Sequence, residues 1–278
     1  MIVDSHHHVW DPARADYPWL TDDLAVIRRP FTPDDLAPEL AATGVDATIL
    51  VQTRSSTGET ADFLALAERT PFIRGVVGWV DLTDPSIADT IAGLRAGPGG
   101  NLLVGIRHQV HDEPDPDWML RGDVVRGITA VGAAGLAYDL LVRPRELPAT
   151  LQLARRLPDV SFVIDHLAKP PIASGELEPW RSRIAPFAAL GNVSCKLSGL
   201  VTEADWSSWT PGDLQPYVDH AIDVFGPARL VFGSDWPVCL LAATYAEVVD
   251  AARSTLAGLS AAERAAVMGA NAERIYAP

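Results

Sequence analysis

Eight short apolar runs recur along the chain, and most connections between them are long enough to hold a helix. The runs fall at residues 2–8, 47–52, 73–80, 103–109, 136–142, 161–166, 193–198 and 230–233. Most are continuously apolar rather than alternating, the pattern of strands covered on both faces. Helix-like segments lie between them at 60–69, where Phe63, Leu64 and Ala67 share a face, and at 85–94, 148–157, 180–190, 214–225 and 245–256. Strand–helix alternation this regular builds parallel βαβ units. Eight strands favour closure into an α/β, TIM-like (β/α)8 barrel over an open doubly wound sheet. No GxGxxG or phosphate-loop pattern opens any of the helices, which further weakens the open-sheet alternative. The 278 residues match the usual length of one barrel, and no repeat, low-complexity tract or linker divides them, so one domain is expected over 1–278.

Composition narrows the partners. A formal net charge of −14 argues against nucleic acid or an anionic membrane surface, both of which call for basic patches. The two cysteines, Cys195 and Cys239, are too few for a disulfide framework and fit a reducing cytoplasm. No basic-then-apolar leader opens the sequence, and no apolar run approaches the roughly 20 residues that span a bilayer. A cytoplasmic protein acting on a small molecule is expected, with assembly into a homo-oligomer left open.

In a barrel, the segments that follow strands build the reactive face. Three of these are extended: 11–33, with Tyr17 and Trp19 after Trp10; 111–121, acidic and proline-bearing; and 167–178, with Pro170 and Pro171. Extended loops at that face shape substrate pockets. The run His6-His7-His8 ends the first strand. Residues two apart on a strand point the same way, so His6 and His8 offer two nitrogen ligands to one divalent ion while His7 faces away. His166 ends the sixth run and Asp235 the eighth. Asp235 alone reads equally well as a turn aspartate, but three matching strand-end histidines favour a functional carboxylate. Asp165 is expected to point away and hydrogen-bond structurally. Arg107, ending the fourth run, has the planar donor fork to hold a substrate oxygen. Tyr138 and Lys196 are further hydrogen-bonding candidates, with Gln52, Trp79 and Trp236 as pocket lining. His108 and His111 are weaker candidates, and His220 belongs to an amphipathic helix. Cys239 has no basic activator nearby in sequence and no Gly-x-Ser-x-Gly elbow is present, so a protein nucleophile is not expected.

The segments Asp-Ser-His-His-His-Val-Trp-Asp-Pro, Gly-Ile-Arg-His, Val-Ile-Asp-His-Leu-Ala-Lys-Pro, Cys-Lys-Leu-Ser-Gly and Phe-Gly-Ser-Asp-Trp-Pro-Val together resemble the amidohydrolase superfamily. More narrowly, they resemble its sugar-lactonase and pyrone-lactonase branch, over almost the whole chain. The resemblance implies that His6, His8, His166 and Asp235 form the core site and that Arg107 helps hold substrate. The superfamily's bridging carboxylated lysine on strand four and its histidine on strand five are replaced here by Gly-Ile-Arg-His and Ala-Tyr-Asp-Leu. A binuclear centre is therefore not expected. One divalent ion, zinc by preference, or none, held by His6, His8, His166 and Asp235, is the cofactor expectation.

Three imidazoles and a carboxylate without a protein nucleophile suit water attack on a small cyclic ester. Asp235 would serve as general acid/base, with His166 among the catalytic groups polarising the carbonyl. A neutral aldonolactone is favoured over a dicarboxylated pyrone, because only Arg107, Lys196, Arg54 and Lys169 supply positive charge near strand ends. The alternatives are a pyrone-dicarboxylate lactonase, a decarboxylase of related fold and metal ligands, a binding protein without turnover, and a barrel whose histidines are only structural.

Overall fold

A computed structural model describes residues 1–277. The eight expected strands are present: β1 (Val3–His7), β2 (Ala47–Val51), β3 (Ile73–Gly78), β4 (Leu103–His108), β5 (Ala137–Leu140), β6 (Phe162–Ile164), β7 (Val193–Leu197) and β8 (Leu230–Phe232). They pair in parallel in the order β1 through β8. Closure of β8 onto β1 is made by backbone bonds just beyond the strand ends: Asp235 N–H donates to the His6 carbonyl at 2.8 Å and His8 N–H to the Trp236 carbonyl at 2.7 Å. The result is a nearly closed (β/α)8 barrel with helices around it.

Two apolar layers hold it. Inside the lower barrel, Val3, Ile49, Val77, Val104, Val163 and Val231 meet Ala272 and Tyr276 from the chain's last helical segment, which plugs the floor. The larger layer lies between strands and helices and includes Leu50, Ile106, Phe162 and Phe232. With both strand faces apolar, continuous hydrophobic runs are what this architecture demands.

Besides short turns such as Asp22–Ile27 and Leu200–Glu203, three longer helical stretches lie outside the segments the sequence pattern marks. Pro33–Thr43 starts on a capping box between Thr32 and Asp35, with proline at its first position. Gly122–Ala133 contains glycines and β-branched residues that disfavour an isolated helix, yet it buries Val124, Val125, Ile128 and Val131. A Cβ on its Gly127 would lie 2.1 Å from the Leu82 carbonyl oxygen, so glycine is what permits the helix to approach. The third unanticipated stretch runs through Ala261–Ala265, Ala266–Ala270 and Asn271–Ile275. The 11–33, 111–121 and 167–178 segments all follow strands at their C-terminal ends, and the first two contribute Asp16, Trp19 and Asp112 to one cavity. Among the described residues no helix is long and apolar enough to cross a membrane.

Candidate active site

His6 and His8 converge because β1 is irregular: its register against β2 shifts between Asp4 and His7. His8 Nδ1 faces the Val51 carbonyl at 2.8 Å and donates to it, which leaves Nε2 as a bare lone pair. The His6 ring has Nδ1 toward Asp165 Oδ1 (3.5 Å) and Nε2 toward Arg107 Nη1 (3.2 Å), so its Nε2 is an acceptor as well. The two Nε2 atoms stand 3.2 Å apart, with Asp235 Oδ1 3.4 Å from that of His8 and 3.7 Å from that of His6. Two lone pairs and a carboxylate oxygen at these distances repel one another unless a cation lies among them. A tetrahedral ion with ligands at about 2.0–2.1 Å spaces its donor atoms about 3.4 Å apart, so the donor set fits a zinc-like ion. Arg107 Nη1 points at the same His6 lone pair and would give it up to an ion.

His166 belongs to the other side of this cluster. Its ring centroid is 4.5 Å from that of His6, and its donor atoms group with His6 and Asp165 rather than with His8 and Asp235. Ser198 Oγ lies 2.8 Å from His166 Nδ1. The chain reaches this position through four consecutive left-handed residues, His166, Leu167, Ala168 and Lys169, with φ of 50–59°. Such residues cost roughly 1–2 kcal/mol each, and Trp180 helps hold the turn by donating to the Leu167 carbonyl at 2.6 Å. Asp235 is left-handed too, at φ 58°. Its turn is clamped by buried Asp4, which accepts from Ser234 N–H (2.8 Å), Ser234 Oγ–H (2.6 Å) and Tyr245 O–H (3.1 Å).

Electrostatics follow from burial. Burial pushes His166 down to about 4. Burial, then the neighbouring Lys196 ammonium, push His6 well below the ordinary imidazole value. Both rings are therefore neutral at pH 7 and able to ligate or hydrogen-bond. Burial works to raise Asp235, but the facing imidazoles of His166, His8 and His6 outweigh it and hold the carboxyl below the usual range. Asp235 is thus ionised at neutral pH.

Several expected residues are placed differently, each for a physical reason. Asp165 does not point away. The strand ends at Ile164, the left-handed turn begins one residue after Asp165, and strand alternation no longer applies. The carboxylate sits fully buried between Arg107 Nη1 (3.0 Å), Lys196 Nζ (2.9 Å) and His6. Lys196 is likewise fully buried beneath the mouth. It donates to Asp139 Oδ2 at 2.5 Å and stands 3.2 Å from His6 Nδ1, and Asp139 in turn accepts from the Tyr276 hydroxyl at 2.9 Å. Lys196 therefore braces His6 rather than reaching substrate. Tyr138 points outward into the strand–helix layer, where its hydroxyl has no partner, so it is not a substrate contact. Arg107 and Gln52 are spent on each other and on Asp165 and His6. Trp236 is buried edge-on against Phe31 at 5.3 Å. Trp79 stays half-buried at the mouth and donates to His108 Nδ1 at 3.0 Å, while His108 stacks on Trp118 at 4.4 Å. His111 pairs with Asp112, and His220 lies against the Arg181 carbonyl on a helix far along the chain.

With this strand-end His/Asp cluster in an eight-stranded parallel barrel, the sequence matches a family model described as amidohydrolase over residues 3–277. The chain belongs to the amidohydrolase family. An L-fucono-1,5-lactonase of Burkholderia multivorans is 42% identical to it, across 99% of this chain and 95% of that protein. A second L-fucono-1,5-lactonase, from Burkholderia ambifaria, is 44% identical across 88% and 83%. Among solved structures, a Burkholderia multivorans amidohydrolase with bound zinc superposes with a TM-score of 0.94 at 42% identity, covering 100% of this chain and 99% of that one. A probable 2-pyrone-4,6-dicarboxylic acid hydrolase from Acinetobacter baumannii, 19% identical, gives 0.76 over 99% and 98% and shares the amidohydrolase fold.

Proposed function

We propose that the protein is a lactonase that opens a neutral sugar aldonolactone, a six-membered 1,5-lactone by preference. The observation that carries this is the cluster of His6, His8 and Asp235 donor atoms at the mouth, with His166 beside it. The two L-fucono-1,5-lactonases at 42% and 44% identity support a sugar lactone as substrate. We place the reaction in the cytoplasm, within carbohydrate breakdown, after the oxidation that forms the lactone.

His6, His8 and Asp235 would hold one divalent ion, zinc by the chemistry of the set and by the bound zinc of the Burkholderia relative. When bound, such an ion acidifies water and polarises a carbonyl. The chain's own groups do the rest. Asp235, ionised at neutral pH, accepts a proton from the water whose oxygen attacks the lactone carbonyl carbon. With Ser198 donating to His166 Nδ1, His166 Nε2 keeps its proton and donates a hydrogen bond to the oxyanion that develops. Collapse of the tetrahedral intermediate breaks the bond between carbonyl carbon and ring oxygen, and Asp235 returns the proton to that oxygen. The product is an open hydroxy acid, which ionises at pH 7 and releases one proton to solvent. Asp165, Arg107 and Lys196 take no part in bond-making; they fix the His6 ring, as partners of metal-site histidines do.

The test is a panel of 1,4- and 1,5-aldonolactones beside a dicarboxylated pyrone, with acid release read by a pH indicator. Turnover of an aldonolactone at least tenfold faster than the pyrone is expected. The reverse preference would overturn the neutral-sugar reading.

A further inference from the structure

The residues that sequence pattern assigns to substrate mostly turn inward, so the part of the lactone that does not react has to be read elsewhere on the mouth. A cavity of about 360 Å³ opens between the 11–33 connection and the ends of β2 and β4, lined by Asp16, Trp19, Thr53, Arg54, Gln109 and Asp112 among others. The catalytic cluster does not line it, but two neighbouring residues lead from one to the other. Thr53 directly follows Gln52, whose carbonyl accepts from Arg107. Trp19 meets Trp10 edge-on at 5.1 Å, and Trp10 lies 6.4 Å from the His8 ring.

The walls of this cavity are held in place. Glu59, buried behind it, accepts from Thr53 N–H (2.9 Å), the Thr53 hydroxyl (2.5 Å), Arg54 N–H (2.9 Å) and Arg54 Nε–H (3.2 Å). That leaves the terminal nitrogens of Arg54 as donors toward the cavity. Trp19 Nε1 donates to the Thr53 carbonyl at 3.1 Å, which fixes the orientation of the indole. Such a ring packs against a sugar's carbon skeleton, while carboxylates and a guanidinium suit hydroxyl groups. Charge decides the ligand class. Glu59 neutralises Arg54, which leaves Asp16 and Asp112 against Arg143 near Asp112, a net negative field that disfavours an anionic ligand.

We infer that this cavity is the subsite for the uncharged, hydroxyl-bearing part of the lactone, with Asp112 accepting from and Arg54 donating to hydroxyls and Trp19 packing against the carbon skeleton. The assignment rests on the lactonase reading for the identity of the reacting group. It makes Asp112 and Arg54 determinants of specificity rather than catalytic residues.

The experiment compares Asp112→Asn and Arg54→Lys with the native chain. It measures the ratio of kcat/KM for a trihydroxylated 1,5-lactone to that for unsubstituted δ-valerolactone. Replacing the carboxylate by a neutral amide, or the forked guanidinium by a single-point ammonium, should lower that ratio about tenfold or more in the respective variant. Asp112 is exposed, so its variant retains the fold, and a matching Tm confirms it. Calorimetric binding of a hydrolysis-resistant trihydroxylated δ-lactam is measured alongside. A ratio within twofold of native in both variants overturns the subsite. If the native chain opens neither lactone, the lactonase reading fails and the lactam decides the subsite alone. Saturable binding weakened at least fivefold by Asp112→Asn supports it, and no binding overturns it.

Discussion

Gly199 offers a sharp test of the site's geometry. It follows β7, has φ +62°, and lies where the side chains of His166 and Asp235 both press against the backbone. A Cβ at this position would be 2.7 Å from His166 Nδ1 and 3.0 Å from Asp235 Oδ2. Comfortable contact begins near about 3.5 Å, so Gly199→Ala must displace the imidazole by roughly 0.8 Å and the carboxylate by roughly 0.5 Å. The left-handed backbone adds roughly 1–2 kcal/mol of strain. Misplacing a reacting group by about 1 Å costs about 100-fold, so kcat/KM on the best lactone should fall about 30- to 100-fold. Stability should fall by only about 1–2 kcal/mol, a Tm decrease of roughly 2–8 °C. Kinetics and a thermal melt on the same preparation measure both. A Gly199→Ala enzyme within threefold of native activity would refute the argument that His166 and Asp235 act from these positions. So would an activity loss fully accounted for by unfolding.

Lys196→Met should be destabilising, because it leaves Asp139 and Asp165 buried without their ammonium. Breaking a buried pair costs about 3–5 kcal/mol, or roughly 6–20 °C in Tm, and adding Asp139→Asn should recover part of it; a melt unchanged by Lys196→Met would contradict the buried network. Zinc added to chelator-treated protein should bind at one ion per chain, read by competition with a chromophoric chelator, and His8→Ala should weaken that binding by at least about 100-fold. Equal zinc affinity in the variant would remove His8 from the donor set.

The barrel was legible because its chemistry is one-dimensional. Strands buried on both faces leave unbroken apolar runs, and all eight sit where those runs lie. The same uniformity hid direction: around Ala137-Tyr138-Asp139 nothing alternates, so the sequence could not say that Asp139 faces the barrel interior and Tyr138 the helices. Strand-end placement pointed to His6, His8, His166 and Asp235, and the fold brings these four together. Asp165 does hydrogen-bond structurally, as expected, but its direction was misread because alternation was carried one residue past the end of β6, to the edge of a left-handed turn that no glycine announces. The Gly122–Ala133 helix escaped because its propensity is poor and its stability comes from burying Val124, Ile128 and Val131 against the barrel. The partnership of Tyr276 with Asp139 spans 137 positions and has no local signature.

The most direct measurement is the turnover of an aldonolactone by Asp235→Asn beside its thermal melt. The amide keeps the shape of the side chain but can neither take the proton from water nor supply the anionic ligand. Loss of activity by at least about 1,000-fold, with Tm shifted by no more than a few degrees, is the predicted result. A variant that still opens the lactone within tenfold of the native rate, or one that loses activity only because it no longer folds, would contradict the account.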